Sequence, residues 1–119
     1  MTKRSETGAL GEDLATKNLL KKGYKIIERN YREKWGEIDI ICINPENVLV
    51  FVEVKTVNKG IFTPEDQMTK SKLNKVARTA EIYSKMFYVK HRCDEIRIDL
   101  IGITIEADKA KLKHYQGIA

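Results

Sequence analysis

Long apolar runs, paired cysteines and clusters of histidine are all missing from this 119-residue chain. No stretch approaches the roughly 20 apolar residues that cross a bilayer, and the polar N-terminus lacks the apolar core of a signal peptide. Cys42 and Cys93 lack the close spacing of a zinc site and fall in or near predicted strands. We therefore expect buried reduced thiols, a cytoplasmic location and no membrane partner.

Several enzyme motifs are absent as well. The sequence contains no glycine-rich phosphate loop, no Ser-His-Asp arrangement and no histidine-rich metal site. His91 and His114 stand alone in polar contexts, where a surface position is expected. The length predicts a single domain over residues 1–119. The formal net charge of +5 is compatible with a nucleic-acid partner and does not require one.

The most informative segment is 36–55, where two stretches rich in Ile and Val flank an Asn-Pro-Glu-Asn turn. This pattern predicts a β-hairpin. Glu53 and Lys55 share one face of its second strand, and Asp39 on the first strand lies opposite position 52 or 53, depending on the register. In the favourable register all three side chains converge. Two carboxylates and an ammonium in an apolar sheet are costly unless they pair or hold a cation.

Helical periodicity predicts a first helix over residues 5–22, capped by Ser5 or Thr7 and ended by Gly23. Its apolar face is formed by Leu10, Leu14, Ala15 and Leu19. Glu12 lies at the margin of that face, and its spacing alone favours an exposed position over one facing the sheet.

A second helix is predicted from an N-cap at Thr69 to about Phe87. Four cations crowd its first half: Lys70, Lys72, Lys75 and Arg78. Cations near a helix N-terminus oppose the macrodipole, so either phosphate binding or a solvated lysine-rich face accounts for them. Residues 56–67 contain Gly60 and Pro64 without periodicity and are predicted to form a loop.

Further strands are predicted over residues 24–32, 95–105 and 111–115, the last of them at a sheet edge. Arg97 and Asp99 share a face and are expected to bridge each other. The element order is α-β-β-β-α-β-β, which predicts an α/β fold with a mixed, partly antiparallel central sheet flanked by helices. For Trp35, packing against a loop is favoured over stacking on a base.

An Asp followed on the next strand by Glu-X-Lys suits metal-dependent hydrolysis of phosphodiesters. Mg²⁺ prefers oxygen ligands and is usually held by one or two carboxylates with waters and substrate phosphate. Asp39 and Glu53 offer such oxygens. Lys55 is placed to orient or deprotonate a water or to neutralise charge on the phosphate.

The context of these residues carries a resemblance. The matching segments are Gly8-Ala-Leu-Gly11-Glu12-Asp-Leu-Ala15, Gly23-Tyr24, Asn30-Tyr31-Arg32, Gly36-Glu37-Ile38-Asp39, Val50-Phe51-Val52-Glu53-Val54-Lys55-Thr56, Lys72 and Arg97-Ile98-Asp99. In this order they resemble the small bacterial YraN (UPF0102) family, predicted endonucleases placed in the PD-(D/E)XK superfamily near archaeal Holliday-junction resolvases. The resemblance covers nearly the whole chain and implies a restriction-endonuclease-like fold.

By this resemblance the metal-binding acid matches Asp39 and the Glu-X-Lys pair matches Glu53 and Lys55, with the carbonyl of Val54 as a further ligand. The first-helix glutamate matches Glu12, which reverses the preference for an exposed position. Glu37 and Lys72 match family positions whose roles are less defined. Val57 and Thr63 differ from the residues that the family usually has at these positions, which leaves loop contacts and substrate choice open.

The resemblance thus implies a Mg²⁺- or Mn²⁺-dependent endodeoxyribonuclease acting on branched or structured DNA, with RNA left open. The residues expected to contact nucleic acid are Lys72, Lys70, Lys75, Arg78 and Arg32. A homodimer would suit a symmetric junction, although no segment identifies an interface. The alternative is a nucleic-acid-binding module that keeps the charged patch and cleaves poorly or not at all.

Overall fold

In the computed structural model, which describes residues 6–60 and 62–119, five strands form one sheet in the order β1-β2-β3-β4-β5. The elements in chain order are α1 (Glu6–Lys21), β1 (Lys25–Glu33), β2 (Gly36–Ile43), β3 (Leu49–Asn58), α2 (Lys70–Met86), α3 (Tyr88–His91), β4 (Ile96–Glu106) and β5 (Lys109–Tyr115). The predicted order is confirmed, with the four-residue α3 and a 3₁₀ turn at Glu65–Gln67 as additions.

The sheet is mixed because only one of its connections is a crossover. β1, β2 and β3 pair antiparallel through short turns, whereas β3 and β4 pair in parallel after the chain has passed through α2. β5 then returns antiparallel to β4 and forms one edge of the sheet. The mixed, partly antiparallel sheet with flanking helices expected from the sequence is therefore observed.

The β2–β3 turn sets the register of the hairpin. The Asn44 side-chain oxygen accepts hydrogen bonds from the backbone N–H groups of Glu46 (3.0 Å) and Val48 (2.9 Å). Asn47 has a φ of 63°, a left-handed conformation that Asn tolerates well. The resulting pairing places Ile40 opposite Val52. One position further along, Asp39 faces Glu53, which is the favourable register.

Two apolar layers cover the two faces of the sheet. Phe51 belongs to the layer that includes Val76 and Tyr83 of α2, whereas Val52, its neighbour in β3, belongs to the layer that includes Leu19 of α1. A strand buried on both faces is apolar at successive positions, which explains the uninterrupted run in β3. Glu53, next in the strand, points to the α2 side by the same alternation.

Several local predictions are corrected by the structure. Leu10 is 50% exposed and does not belong to the buried face of α1. Thr7 lies within the first turn of α1 instead of capping it, and Ser5 lies outside the described residues. Residues 56–58, predicted as loop, extend β3 because they pair with β4 from Ile103 to Ile105. The side chain of His114, expected at the surface, is only 4% exposed.

Other local predictions are confirmed. Thr69 caps α2 by accepting a hydrogen bond from the backbone N–H of Lys72 at 3.2 Å. Cys42 and Cys93 are both buried free thiols, and burial raises the pKa of Cys42 to about 12. None of the helices described is long and apolar enough to cross a membrane.

His114 is buried because it is a hydrogen-bond partner of Asp99, whose carboxylate is fully buried. Arg97 bridges this carboxylate through two N–H groups at 2.8 and 2.9 Å, as expected, and Gly117 donates its backbone N–H at 3.0 Å. His114 Nε2 lies 2.7 Å from Asp99, and Lys22 Nζ lies 2.9 Å from His114 Nδ1. Burial alone would raise the pKa of Asp99, but these hydrogen bonds outweigh it and lower the pKa.

Candidate active site

Asp39 and Glu53 meet at the end of the β2–β3 hairpin, on the side of the sheet that α2 covers. Their side chains are hydrogen-bonded to each other. Asp39 Oδ2 also accepts the backbone N–H of Val54 at 2.8 Å, which fixes the orientation of its carboxylate. Glu53 is only 7% exposed. The structure thus brings together the two carboxylates singled out in the sequence.

The electrostatic state of Glu53 is unusual for a carboxyl group. Burial is the largest cause that raises its pKa to about 9, and the charge and hydrogen bond of Asp39 raise it further, while Lys55 and Lys72 oppose the shift. Ionising two carboxyl groups this close together costs free energy unless a counter-ion is present. At neutral pH Glu53 therefore keeps its proton while its side chain is hydrogen-bonded to Asp39.

Two amines stand beside the two acids. Lys72, in the first turn of α2, is hydrogen-bonded to Lys55 of β3. This contact is the largest cause that lowers the pKa of Lys72, followed by burial and by the charge of Lys55; the charges of Glu53 and Asp39 oppose the shift. The sequence predicted Lys72 as a phosphate contact. The structure places it within the acid and lysine group itself, where an amine that loses its proton easily can accept one from water.

Asp39, Glu53 and Lys72 face a cleft of about 500 Å³ between the β1–β2 turn, the hairpin and α2. The cleft is lined by Asp39 and Glu53 of the hairpin and by three cations of α2: Lys72, Lys75 and Arg78. The cleft thus combines carboxylate oxygens with positively charged side chains. It therefore suits an anionic substrate whose reacting group is held by a cation.

The remaining cations are placed differently. Lys70 is exposed at the start of α2 and does not line the cleft. Arg32 lies on β1 with its Nε 4.0 Å from a carboxylate oxygen of Glu37, a long and exposed ion pair. Lys75 and Arg78 are exposed within the cleft wall. Contact of these cations with nucleic acid stays a prediction.

Two further carboxylates were singled out as metal ligands. Glu12 is buried, at 6% exposure, which agrees with the family resemblance and not with the exposed position that its spacing favoured. It belongs to α1, and its neighbour Gly11 packs against Thr56 and Ile103. The side chain of Glu37 is 70% exposed at the rim of the cleft.

Among residues 6–60 and 62–119, no group of three or more His, Cys, Asp or Glu side chains is placed to hold a metal ion. The structure brings Asp39 and Glu53 into contact, and metal binding by this pair stays a prediction. Metal binding by Glu12, by Glu37 and by the carbonyl of Val54 stays a prediction.

Sequence reasoning missed the contribution of the β1–β2 turn to the cleft. Trp35 borders the cleft and is 38% exposed, and Thr79 of α2 lies beside it. The signal available was Gly36, directly after Trp35, because a glycine in a turn often marks a close approach of backbone to another element. Nothing in the sequence indicated that the approaching element is α2.

Comparison with known proteins places these observations in a family. A model described as "Uncharacterised protein family UPF0102" matches residues 11–103. A UPF0102 protein of Syntrophomonas wolfei is 40% identical over 110 residues, which cover 92% of this chain and 93% of that protein. A UPF0102 protein of Thermotoga maritima is 39% identical over 107 residues, covering 90% and 91%.

Among solved structures, the chain is similar to one described as a repair endonuclease from Pyrococcus abyssi, with a TM-score of 0.39 and 12% identity. The match covers 82% of this chain and 37% of that chain, so it spans about a third of the larger protein. The family model and the relatives, by contrast, agree over most of the sequence, and by that agreement the chain belongs to the UPF0102 family.

Proposed function

We propose that this protein is a metal-dependent endonuclease that hydrolyses phosphodiester bonds in DNA. The observation that carries the proposal is the hydrogen-bonded carboxyl pair of Asp39 and Glu53 in a cleft walled by cations. Buried acids this close together are unfavourable for folding. Such pairs are typical of functional sites, where a ligand or cation compensates for them.

The carboxyl pair fits a magnesium or manganese ion. Its donors are hard oxygens, and Asp39 is oriented by the N–H of Val54 in the way that supporting hydrogen bonds orient metal ligands. Two carboxylates are the usual protein contribution to a magnesium site, with waters and phosphate oxygens completing it. When bound, the ion would polarise the scissile phosphate and lower the pKa of a water.

The protein's own side chains account for the other steps. Because contact with Lys55 and burial lower the pKa of Lys72, this amine loses its proton more readily than an isolated lysine. Its Nζ atom accepts the proton of the attacking water, while the charged partner faces the negative charge that develops on the phosphate. Lys75 and Arg78 bind flanking phosphates along the α2 wall and thereby hold the strand in place.

The preference for branched or structured DNA rests on the family resemblance, as does the choice of DNA over RNA. The test is a panel of linear, single-stranded, flapped and four-way DNA, with an RNA strand for comparison, incubated with Mg²⁺, Mn²⁺ or a chelator. The isosteric variants Asp39→Asn and Glu53→Gln are compared with Glu46→Gln, which alters an exposed carboxylate of the hairpin turn.

We expect metal-dependent products from the wild type and from Glu46→Gln. Each site variant removes a proposed oxygen ligand of the metal ion, so Asp39→Asn and Glu53→Gln should be nearly inactive while binding DNA at least as well. Absence of a metal-dependent product on every substrate, or full activity in both site variants, would overturn the proposal.

A second candidate is a binding module that does not cleave. It is favoured by the fact that, among the described residues, no group of three or more His, Cys, Asp or Glu side chains is placed to hold a metal ion. This candidate predicts salt-dependent affinity for nucleic acid that falls in Lys75→Ala and Arg78→Ala, without a product under any metal condition. The substrate panel above therefore decides between the two.

A further inference from the structure

The single tryptophan of the chain occupies a turn at the mouth of the cleft. Lys34 and Trp35 form the two-residue connection between β1 and β2. The side chain of Trp35 borders the same cleft as Asp39 and Glu53 and remains 38% exposed. A large aromatic side chain is thus kept partly in solvent within the space that the two carboxylates share.

The turn itself is held firmly against α2. Thr79, almost fully buried, shares its hydroxyl between the carbonyl oxygens of Lys75 (2.9 Å) and Trp35 (3.3 Å). Gly36 has a φ of +154°, and a Cβ at this position would collide with the Thr79 hydroxyl. Glycine is therefore required both for the backbone conformation and for the close contact. The turn is therefore already held in position in the protein without substrate.

The indole ring is anchored as well. Burial raises the pKa of Tyr31, and a hydrogen bond from the Trp35 side chain partly opposes that rise. The indole of Trp35 therefore lies next to the Tyr31 hydroxyl. Tyr31 is 6% exposed and packs edge-on against Tyr83 at 5.1 Å between ring centroids. What Trp35 presents to solvent is therefore apolar ring surface.

We propose that Trp35 is a preformed stacking platform for an unpaired DNA base beside the cleft, an inference that rests on the proposed function. Lys75 and Arg78 supply the positive charge that follows the strand, and a rigid aromatic ring supplies the stacking surface. A ring that is already fixed loses little entropy on binding. The bases of an intact duplex are stacked inside it, so this site selects DNA at a break in pairing, such as a flap or a junction.

A first test uses the fluorescence of the wild-type protein, because Trp35 is the only tryptophan. The protein is titrated with single-stranded, flapped and blunt duplex DNA in chelator, where no cleavage occurs. Single-stranded and flapped DNA should quench the emission, and blunt duplex should not. A flapped DNA with abasic sites at its branch should bind with much weaker quenching. Equal quenching by all four DNAs, or none by flapped DNA that binds, would refute the proposal.

A second test measures dissociation constants for flapped and blunt DNA in three variants. Stacking on one aromatic residue is worth about 5- to 150-fold in affinity. Trp35→Ala should therefore raise the dissociation constant for flapped DNA by about tenfold or more and leave that for blunt DNA unchanged. Trp35→Phe keeps a ring and should restore most of the affinity. Tyr88→Ala, which removes an exposed aromatic residue in α3, serves as the matched control.

The two proposals fail in distinguishable ways, because the quenching does not depend on cleavage. The stacking platform alone is refuted if the protein cleaves DNA in a metal-dependent way, shows no quenching, and loses no affinity for flapped or blunt DNA in Trp35→Ala. Quenching by unpaired DNA without a product under any condition refutes the nuclease alone. If Trp35→Ala shows no cooperative thermal unfolding and is therefore not folded, the wild-type titration and the affinity of Trp35→Phe still test the stacking platform.

Discussion

Replacement of Glu53 by Gln should stabilise the protein at neutral pH even though it removes a group central to the proposed chemistry. In the absence of a metal ion, Glu53 must take up a proton when the chain folds, because burial and the adjacent Asp39 raise its pKa from 4.5 to about 9. Glutamine has nearly the same shape, carries no charge, and its amide can donate a hydrogen bond to Asp39.

The size of the effect follows from proton linkage. An acid whose pKa is raised by folding contributes fully to stability below its unfolded value, and that contribution is lost as the pH rises from 4.5 towards 9. Each pH unit in this window costs about 1.4 kcal/mol. At pH 7 the wild type has thus lost about 3 kcal/mol that Glu53→Gln retains, and for a chain of this length the difference corresponds to roughly 10 °C in Tm.

The assay is thermal and urea unfolding of both proteins in chelator between pH 5 and pH 8.5. The free energy of unfolding of Glu53→Gln should exceed that of the wild type by an amount that grows with pH across this range. Glu37→Gln, which alters a carboxylate whose side chain is 70% exposed at the same cleft, is the control and should match the wild type. A stability difference that is constant with pH, or a variant less stable at pH 8 than the wild type, would contradict the raised pKa of Glu53.

Four further predictions concern stability and binding. Asp99→Asn should lower the free energy of unfolding by about 3–5 kcal/mol at pH 7, because it breaks a buried ion pair; the loss in urea unfolding should shrink below pH 3.8, where the wild type also loses this contribution. Thr69→Ala should cost about 1 kcal/mol through loss of the α2 cap, and a change near zero in the same assay would argue against the cap. Gly36→Ala should lower Tm and weaken binding of flapped DNA, because the new Cβ displaces Thr79; wild-type values for both would contradict the required contact. Lys75→Ala should reduce the slope of log affinity against log salt by about 1, and an unchanged slope would show that Lys75 does not contact phosphate.

The hairpin shows how far local patterns lead. Its strands and its turn follow from β-branched residues around an Asn-rich connection, and the convergence of Asp39, Glu53 and Lys55 follows from alternation once a register is assumed. The register itself depends on how the Asn44 side chain closes the turn. A shift by one residue would have sent every side chain to the opposite face.

Some of the misjudged features share a physical origin. Residues 56–58 have weak strand signals, yet they pair with β4 because the parallel partner offers them hydrogen bonds. His114 has polar neighbours in the sequence, yet it is buried because the carboxylate of Asp99 requires partners there. Leu10 fits the apolar stripe of α1, yet it is half exposed. For residues 56–58 and for His114, a partner distant in the chain outweighs the local preference.

By itself, the sequence determined the two helices, the five strands, the mixed sheet and the acid and lysine residues of the candidate site, because periodicity and turn chemistry act over a few residues. Only the tertiary structure decided that Lys72 contacts Lys55 and that the turn carrying Trp35 is held against α2 beside the cleft. These outcomes depend on the crossover that lays α2 over the hairpin. Contacts between elements far apart in the chain arise from packing, and packing leaves no periodic signal at the residues it joins.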